Sequence, residues 1–538
     1  MRLRAPKRGV GVGKRSLAGI AGIVAAATLL SKVFGLLREA VVAASFGVGP
    51  VTDAYAIAYV IPGFLLVLLG GINGPFHSAI VSVVSKRKKE DIAPLIETVT
   101  TLVGLALIVA TVLITLFAPQ IIGAFGQDVN PETQAIAVAQ LRIMAPITVF
   151  AAFIGIGFGT LNASDQYWLP SISPLLSSSA VIVALGIFWL VSGGDISDPQ
   201  VAIRGGMVLA AGTLIGAVLQ WLIQVPALWK SGLGRLRLGF NWRDTGVRNV
   251  MAVLIPATFA SGTFQINVYT DLYFAAAVDG VAASLGFANL LVQAPLGIVS
   301  NIVLVPFLPI FSQLTEPAQW PELKQRIRQS LILVGLTMLP MSALVMTLAQ
   351  PIVKVAYERG NFGADDVQLV TTILIAYGLG MFVYLARDVM VRVFYALGDG
   401  ETPFKISLVN IGFNALFDWI FFNLMGAPGL VIATIGVNIV SLLAMTFFLA
   451  RKLDGLPVFE WTRSLATITV ASFLAGVSCW LTQGGLASLI GTEGFAINLI
   501  QMCVAGAIGI ATFALLTVVL NIPEAEILAS RIREKIGR

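Results

Sequence analysis

The sequence predicts an all-α integral membrane protein of about fourteen transmembrane helices, arranged as two pseudo-symmetric six-helix lobes with two further helices at the C-terminus. Three observations carry this. Of 538 residues, 57% are hydrophobic and 12% charged, with a mean hydropathy of +0.90, which excludes a water-soluble globular fold. The apolar runs reach ~20 residues or more, whereas membrane β-strands are ~10 residues of alternating polarity, so the spans are helices and a barrel is excluded. Basic residues gather in alternate connections, as the positive-inside rule requires.

Taken in order, the chain opens with a basic N-terminal segment, 1–16, reading "MRLRAPKRGVGVGKRS". The apolar run behind it, 17–46, is too long for a signal peptide and holds Lys32 and Arg38, so it reads as a retained span. The turn "FGVGPVTDAY" opens the second span, 51–85, and "KRKK" closes it. The next spans are 91–118, 132–162, 167–193 and 199–230, joined by the acidic or neutral "GQDVNPE" and "SGGDISDP". A basic connection with Lys230, Arg235, Arg237, Arg243 and Arg248 leads to 245–277, and "AVDG" leads to 281–314. Lys324 to Arg328 begin 322–353, the mixed "ERGNFGADD" precedes 365–397, and Lys405 lies at the start of 402–425. "GAPG", Arg451 with Lys452, and "GGLASLIGTEG" bracket 428–452, 461–487 and 494–521. All the clearly basic segments, the tail "RIREKIGR" included, then lie on one side, which places both termini in the cytoplasm.

"FGTLNASDQYWLP", ending at Pro170, echoes "FYALGDGETP", ending at Pro403. Each has an aromatic, a Leu, a small polar loop and a proline opening the next helix, six spans apart. A parallel repeat of two lobes, 17–230 and 245–452, gives this offset, with a substrate site between the lobes. The remainder is a helix pair, 461–521, and a basic amphipathic tail, 522–538.

The first span carries "SKVFGLLREA". An ionisable group at the centre of a spanning helix costs roughly 2.5–3.5 kcal/mol, so Lys32, Arg38 and Glu39 must be paired, hydrated or used. Lys32 and Glu39 share a helical face and can neutralise each other, while Arg38 projects roughly 120° away. Gly35 permits a bend that turns both bases into one water-filled cavity. Asp53 reads equally as an N-cap of the second span and as a carboxylate poised to orient or gate near Arg38. In the tenth span Asp388 and Arg392, four apart, can pair, which leaves Arg387 positive. His77, Arg142, Gln265, Asn267, Asp271, Asn289, Gln293, Asn301, Asn410, Asn414 and Asp418 complete a polar interior that favours an anion, and Arg suits phosphate.

The formal charge of +6 reports topology, not nucleic acid. Cys479 and Cys503 read as small buried hydrophobes without a metal or disulfide role. With a single histidine, no phosphate-cradling loop and no nucleophile elbow, an enzyme and a bound cofactor are not expected; transport is.

"SKVFGLLREAVVAASFGVGPVTDAYAIAYVIP", "PIVKVAYERGNFGADDVQL" and "VFYALGDGETPFKISLVNI" resemble, in order and spacing, the MurJ (MviN) family of lipid II flippases, within the superfamily of multidrug, oligosaccharidyl-lipid and polysaccharide exporters. The resemblance implies two six-helix lobes and a C-terminal helix pair forming a lipid-tail groove. It implies a central cavity in which Lys32, Arg38 and Asp53 handle a pyrophosphate headgroup, with Asn289 at the place of a family Arg; the residues themselves add Arg387 to that cavity and Glu39, Asp388 and Arg392 as supporting or gating groups. The family's usual Arg is Lys32 here, its basic residue near Leu66 is absent, and Asn289 replaces an Arg of the eighth span.

The expected activity is therefore translocation of undecaprenyl-pyrophosphate-linked disaccharide-pentapeptide across the bacterial cytoplasmic membrane by alternating access. The membrane potential contributes, the coupling ion is unspecified, and contact with cell-wall synthesis machinery fits. The alternatives are export of another polyprenyl-pyrophosphate-linked oligosaccharide, a cation-coupled drug antiporter of the same superfamily, and a membrane-embedded transferase.

Overall fold

The computed structural model describes residues 17–71, 75–84, 87, 89–125, 129–164, 166–235 and 237–520, and every regular element among them is helical. The predicted segments 1–16 and 522–538 lie outside these residues. The first ten helices are α1 (Leu17–Phe46), α2 (Pro50–Gly70), α3 (Pro75–Val84), α4 (Lys89–Leu116), α5 (Ala118–Gly123), α6 (Pro131–Met144), α7 (Ile147–Asn162), α8 (Trp168–Val191), α9 (Pro199–Leu222) and α10 (Val225–Lys230). After a connection come α11 (Thr245–Ala275), α12 (Val281–Val299), a π-helical stretch at Ser300–Leu304, α13 (Val305–Ser312), α14 (Trp320–Thr347), α15 (Ala349–Tyr357), α16 (Ala364–Ala396), α17 (Glu401–Met425) and α18 (Ala427–Lys452). The hairpin α19 (Val458–Ile490) and α20 (Phe495–Val519) ends the described chain.

Among the described residues eleven helices are long and apolar enough to cross a membrane, or twelve when α6 and α7, bent by 41°, count as one span. The predicted count was about fourteen. The two predicted spans outside that set are α1 and α11; both are helices of spanning length, at 30 and 31 residues. Local chemistry explains where the predicted spans break. The second divides into α2 and α3 because Gly71 leaves the helix in extended conformation (φ −71°, ψ 141°) and Pro75 starts a new one. The eighth runs as α12, the π-helical stretch and α13, in a region where Pro295, Pro306 and Pro309 withdraw backbone donors. Starts are set by short polar caps: Asn130, Asp198 and Asp244 each accept backbone N–H groups of the first turn behind them.

Packing falls into two helix groups. In the first, α1 packs on α8, α8 on α9, and α2 on α6 and α7. Small residues allow close approach: Gly155 brings α7 against the backbone of Leu69 and Gly70 in α2, where any Cβ would collide. In the second, α14, α16 and α18 form a stack, flanked by α12 on α16 and by α11 and α18 on α17. The groups meet where α2 touches α12, α3 touches α11 and α1 touches α15. The α19–α20 hairpin rests on α14 and α15. Cys479 is buried in that contact, as expected, whereas Cys503 is exposed.

Candidate functional site

Where the two groups meet, a cavity of about 380 Å³ opens between α1, α2 and α12, lined among others by Arg38, Glu39, Tyr55, Tyr59, Asn289 and Gln293. Tyr55 and Tyr59 lie one turn apart on α2 and stack at 5.5 Å, and the Tyr55 hydroxyl is within 2.9 Å of Thr213 Oγ1, which fixes this wall. Arg38 donates to Glu39 Oε1 from Nε at 3.0 Å and also from Nη2. Glu39 therefore pairs with Arg38, and not with Lys32, the intrahelical partner that the sequence also offered. Seven residues put Lys32 and Glu39 ~10 Å apart along the axis, while the long Arg38 side chain folds back onto its neighbour. Guanidinium has five N–H donors, and Glu39 occupies two, so three remain for an anionic ligand. Lys32 is exposed, and its Nζ approaches α12 at Gly297. It has no carboxylate partner among the described residues. Leu66, near which the resemblance implied a base, packs with the apolar core.

Asp53 is 3% exposed, and its carboxylate does not cap its own helix. Thr52 does that, accepting the Gly49 N–H at 3.1 Å. Asp53 instead accepts the N–H groups of Ala283, at 2.8 Å, and Gly280, so a residue of α2 caps α12 across the group boundary. The same face carries three further ties. Asp366 accepts the Val48 N–H at 3.2 Å, the Asn361 N–H donates to Ala44 O at 2.9 Å, and Asn361 Nδ2 donates to Ser45 O at 2.8 Å. The chain can turn here because Gly47 takes φ +63° directly against Asn361. The cavity thus sits beneath a latched face.

Arg387 is not part of this cavity wall. Its Nε donates to Ser441 Oγ of α18 at 3.1 Å, and its Nη1 lies 3.9 Å from Asp388. The expected Asp388–Arg392 pair is replaced by this contact.

A second constellation was visible in the sequence only as scattered polar residues. Asn414 Nδ2 donates to Asp271 Oδ1 at 2.9 Å and to Asp418 Oδ2 at 2.8 Å, and Thr434 Oγ1 donates to Asp271 Oδ2 at 3.3 Å. Asp418 and Asn414 are buried, and Asp418 Oδ1 has no hydrogen-bond partner among the described residues. Two carboxylates held this close inside a membrane need a compensating proton or cation, and the donor set is all oxygen once the amide is turned, which suits a hard cation. The i, i+4 spacing of Asn414 and Asp418 was the available signal. Asp271 comes from another helix. Among the described residues no three His, Cys, Asp or Glu side chains gather as a metal site.

A family model described as "Lipid II flippase MurJ" matches residues 42–497. A relative from Synechocystis sp., named "Probable lipid II flippase MurJ", is 50% identical over 528 residues, covering 98% of this chain and 99% of its own. The "Lipid II flippase MurJ" of Burkholderia cenocepacia is 28% identical over 467 residues, covering 84% of this chain and 88% of its own. A solved "Lipid II flippase MurJ, inward closed conformation" superposes with a TM-score of 0.74 at 22% identity over 96% of this chain and 100% of that one. An inward-facing multidrug transporter of the MATE family gives 0.61 at 15% identity, covering 81% of this chain and 98% of its own, and shares the fold.

Proposed function

Because the chain belongs to the MurJ family of lipid II flippases, we propose that it carries undecaprenyl-pyrophosphate-linked disaccharide-pentapeptide from the inner to the outer leaflet of the bacterial cytoplasmic membrane. The observation that carries this is Arg38: a guanidinium with unused donors, in a cavity closed on one face by the Asp53 latch. The two helix groups act as alternating lobes, 17–230 and 245–452. The latched face is the outer one, and both termini are cytoplasmic, as the loop charges indicate.

The pyrophosphate binds Arg38 and Lys32 in the inward-open state, Asn289 and Gln293 offer neutral hydrogen bonds to the headgroup, and the polyprenyl tail stays in lipid or along 461–521. Asp53 releases α12 when the outer face opens. The membrane potential contributes up to ~2.3 kcal/mol per charge per 100 mV for an anionic substrate. The Asp271–Asp418 pair holds the coupling proton or cation. None of this chemistry breaks a covalent bond of the substrate, so the role is transport.

The test is leaflet exposure of lipid II in cells depleted of the protein, read with an externally added enzyme that cleaves outward-facing headgroups. Rescue by wild type and not by Arg38→Ala supports the reading. Unchanged exposure on depletion overturns it.

A further inference from the structure

We propose that Arg387 is a cationic plug that closes a cation route running through the second helix group, from the Asp271–Asp418 pair toward the face opposite the Asp53 latch. The inference rests on the reading of that pair as a cation or proton site. On α18, Thr434 donates to Asp271, Asn438 Nδ2 donates to Thr434 O at 2.7 Å, and Ser441 accepts from Arg387. Positions 434, 438 and 441 share one helical face and make a polar stripe ~10 Å long. The wall opposite is α16, packed along α18. One turn before Arg387 it carries Tyr384, whose hydroxyl is buried and without a hydrogen-bond partner among the described residues. A polar stripe with an unsatisfied hydroxyl beside it, inside a membrane bundle, has a use when a proton or hydrated ion passes.

Orientation follows from the latch. Asp366, near the start of α16, is tied to Val48 on the latched face, so Arg387, twenty-one residues further on, lies ~30 Å away toward the opposite face. Asp271 lies nine residues before Gly280, the group that Asp53 holds, and so nearer the latch. The stripe therefore leads from the acidic pair away from the closed face and meets Arg387 at its far end. The Arg387 side chain is 21% exposed and its contact to the half-exposed Asp388 is long, at 3.9 Å, so its charge is only partly offset. A route to the pair that stood open would dissipate an ion gradient without moving substrate. One positive charge ~10 Å from a passing cation, at an effective dielectric of about 20, slows its passage roughly tenfold or more.

The experiment is uptake of radiolabelled sodium, and of protons by an enclosed pH dye, into liposomes holding the full chain without lipid substrate. Arg387→Gln is expected to raise one of the two fluxes by about tenfold; Arg387→Lys keeps it near wild type, and adding Asp418→Asn to Arg387→Gln returns it to background. A purely structural Arg387 would change melting and leave flux alone. Background flux in a monodisperse Arg387→Gln protein overturns the plug. Should that variant not fold, Ser441→Val, which removes the acceptor holding the guanidinium, takes its place, and background flux there overturns it equally. Asp418→Asn alone separates the two readings: flipping that keeps its dependence on the sodium or proton gradient in this variant removes the acidic-pair reading and the plug with it, whereas lost dependence combined with no leak from Arg387→Gln overturns the plug alone.

Discussion

Asp53 on α2 accepts the backbone N–H of Ala283 on α12 at 2.8 Å, so the cap of one helix is supplied by a helix of the other group. Two donors at the start of α12, the N–H groups of Gly280 and Ala283, are satisfied by this carboxylate only while the two groups touch. Opening this face leaves them to find water, and leaves Asp53 without the positive end of a helix dipole. The latch is thus reversible by construction: it joins groups that can be hydrated when apart.

Asp53→Ala should shift the population toward the open outer face by about an order of magnitude, since a cap contributes roughly 1–2 kcal/mol. Spin labels at the exposed Asp195 and Asp365, with Cys503 replaced by serine, would report it as a longer distance. An unchanged distance distribution counts against the latch.

Much of this was legible in the sequence, and the misses share one cause. The charged stretch of α1, the caps and the basic connections are local patterns. The break between α2 and α3 was also local, written in Gly70, Gly71 and Pro75, but the hydrophobic run on either side masked it. Asp53 was legible as a capping residue, yet its recipient lies 227 residues away at Gly280. Asp271 and Asn414 are 143 residues apart. Each reads alone as an ordinary interhelical hydrogen-bonding group, and only packing brings the two carboxylates to one amide.

Arg38 and Glu39 should behave oppositely. Arg38→Ala removes the unused donors and is expected to weaken lipid II binding at least about tenfold, the loss typical of a charge-assisted pair. Glu39→Gln leaves the guanidinium in place and removes its competing carboxylate, so affinity should hold or rise. Native mass spectrometry of the purified variants with lipid II measures both; equal loss in the two would show that the ion pair itself, not the free donors, is what matters.

Outside the spans, Arg87 clamps the start of α11 through Asp244, with Nη2 to Oδ1 at 2.5 Å and Nη1 to Oδ2 at 3.2 Å. Hydrogen bonds from Arg87 hold the Asp244 carboxyl below the usual carboxylate range. A carboxyl depressed in the folded state adds stability that is complete above its unfolded value of about 4 and fades as pH falls through the folded value. Asn caps a helix as well as Asp does, so Asp244→Asn isolates the charge. The melting temperature should drop by only a few degrees, because a partly exposed pair contributes less than about 1 kcal/mol. That gap should be constant from neutral pH down to about 4 and close below it. A gap that persists unchanged in acid would assign the contact to capping alone.

The acidic pair predicts a ligand-dependent stability. If Asp271, Asn414, Asp418 and Thr434 hold a cation, binding to the folded chain raises its melting temperature by an amount set by RT ln(1 + [L]/Kd). At a hundredfold excess over Kd this is about 2.7 kcal/mol, a shift of a few degrees for a chain of this size. Sodium, potassium and lithium chlorides at matched ionic strength separate site binding from general screening, because exposed ion pairs respond to all three alike. The wild-type protein should be stabilised by one of them selectively. Asp418→Asn should lose that selectivity, and Thr434→Val should weaken it by removing a single neutral ligand. If no salt is selective but melting in the wild type depends on pH and in Asp418→Asn does not, the pair carries a proton instead. The same carboxylates then couple the protein to the proton gradient.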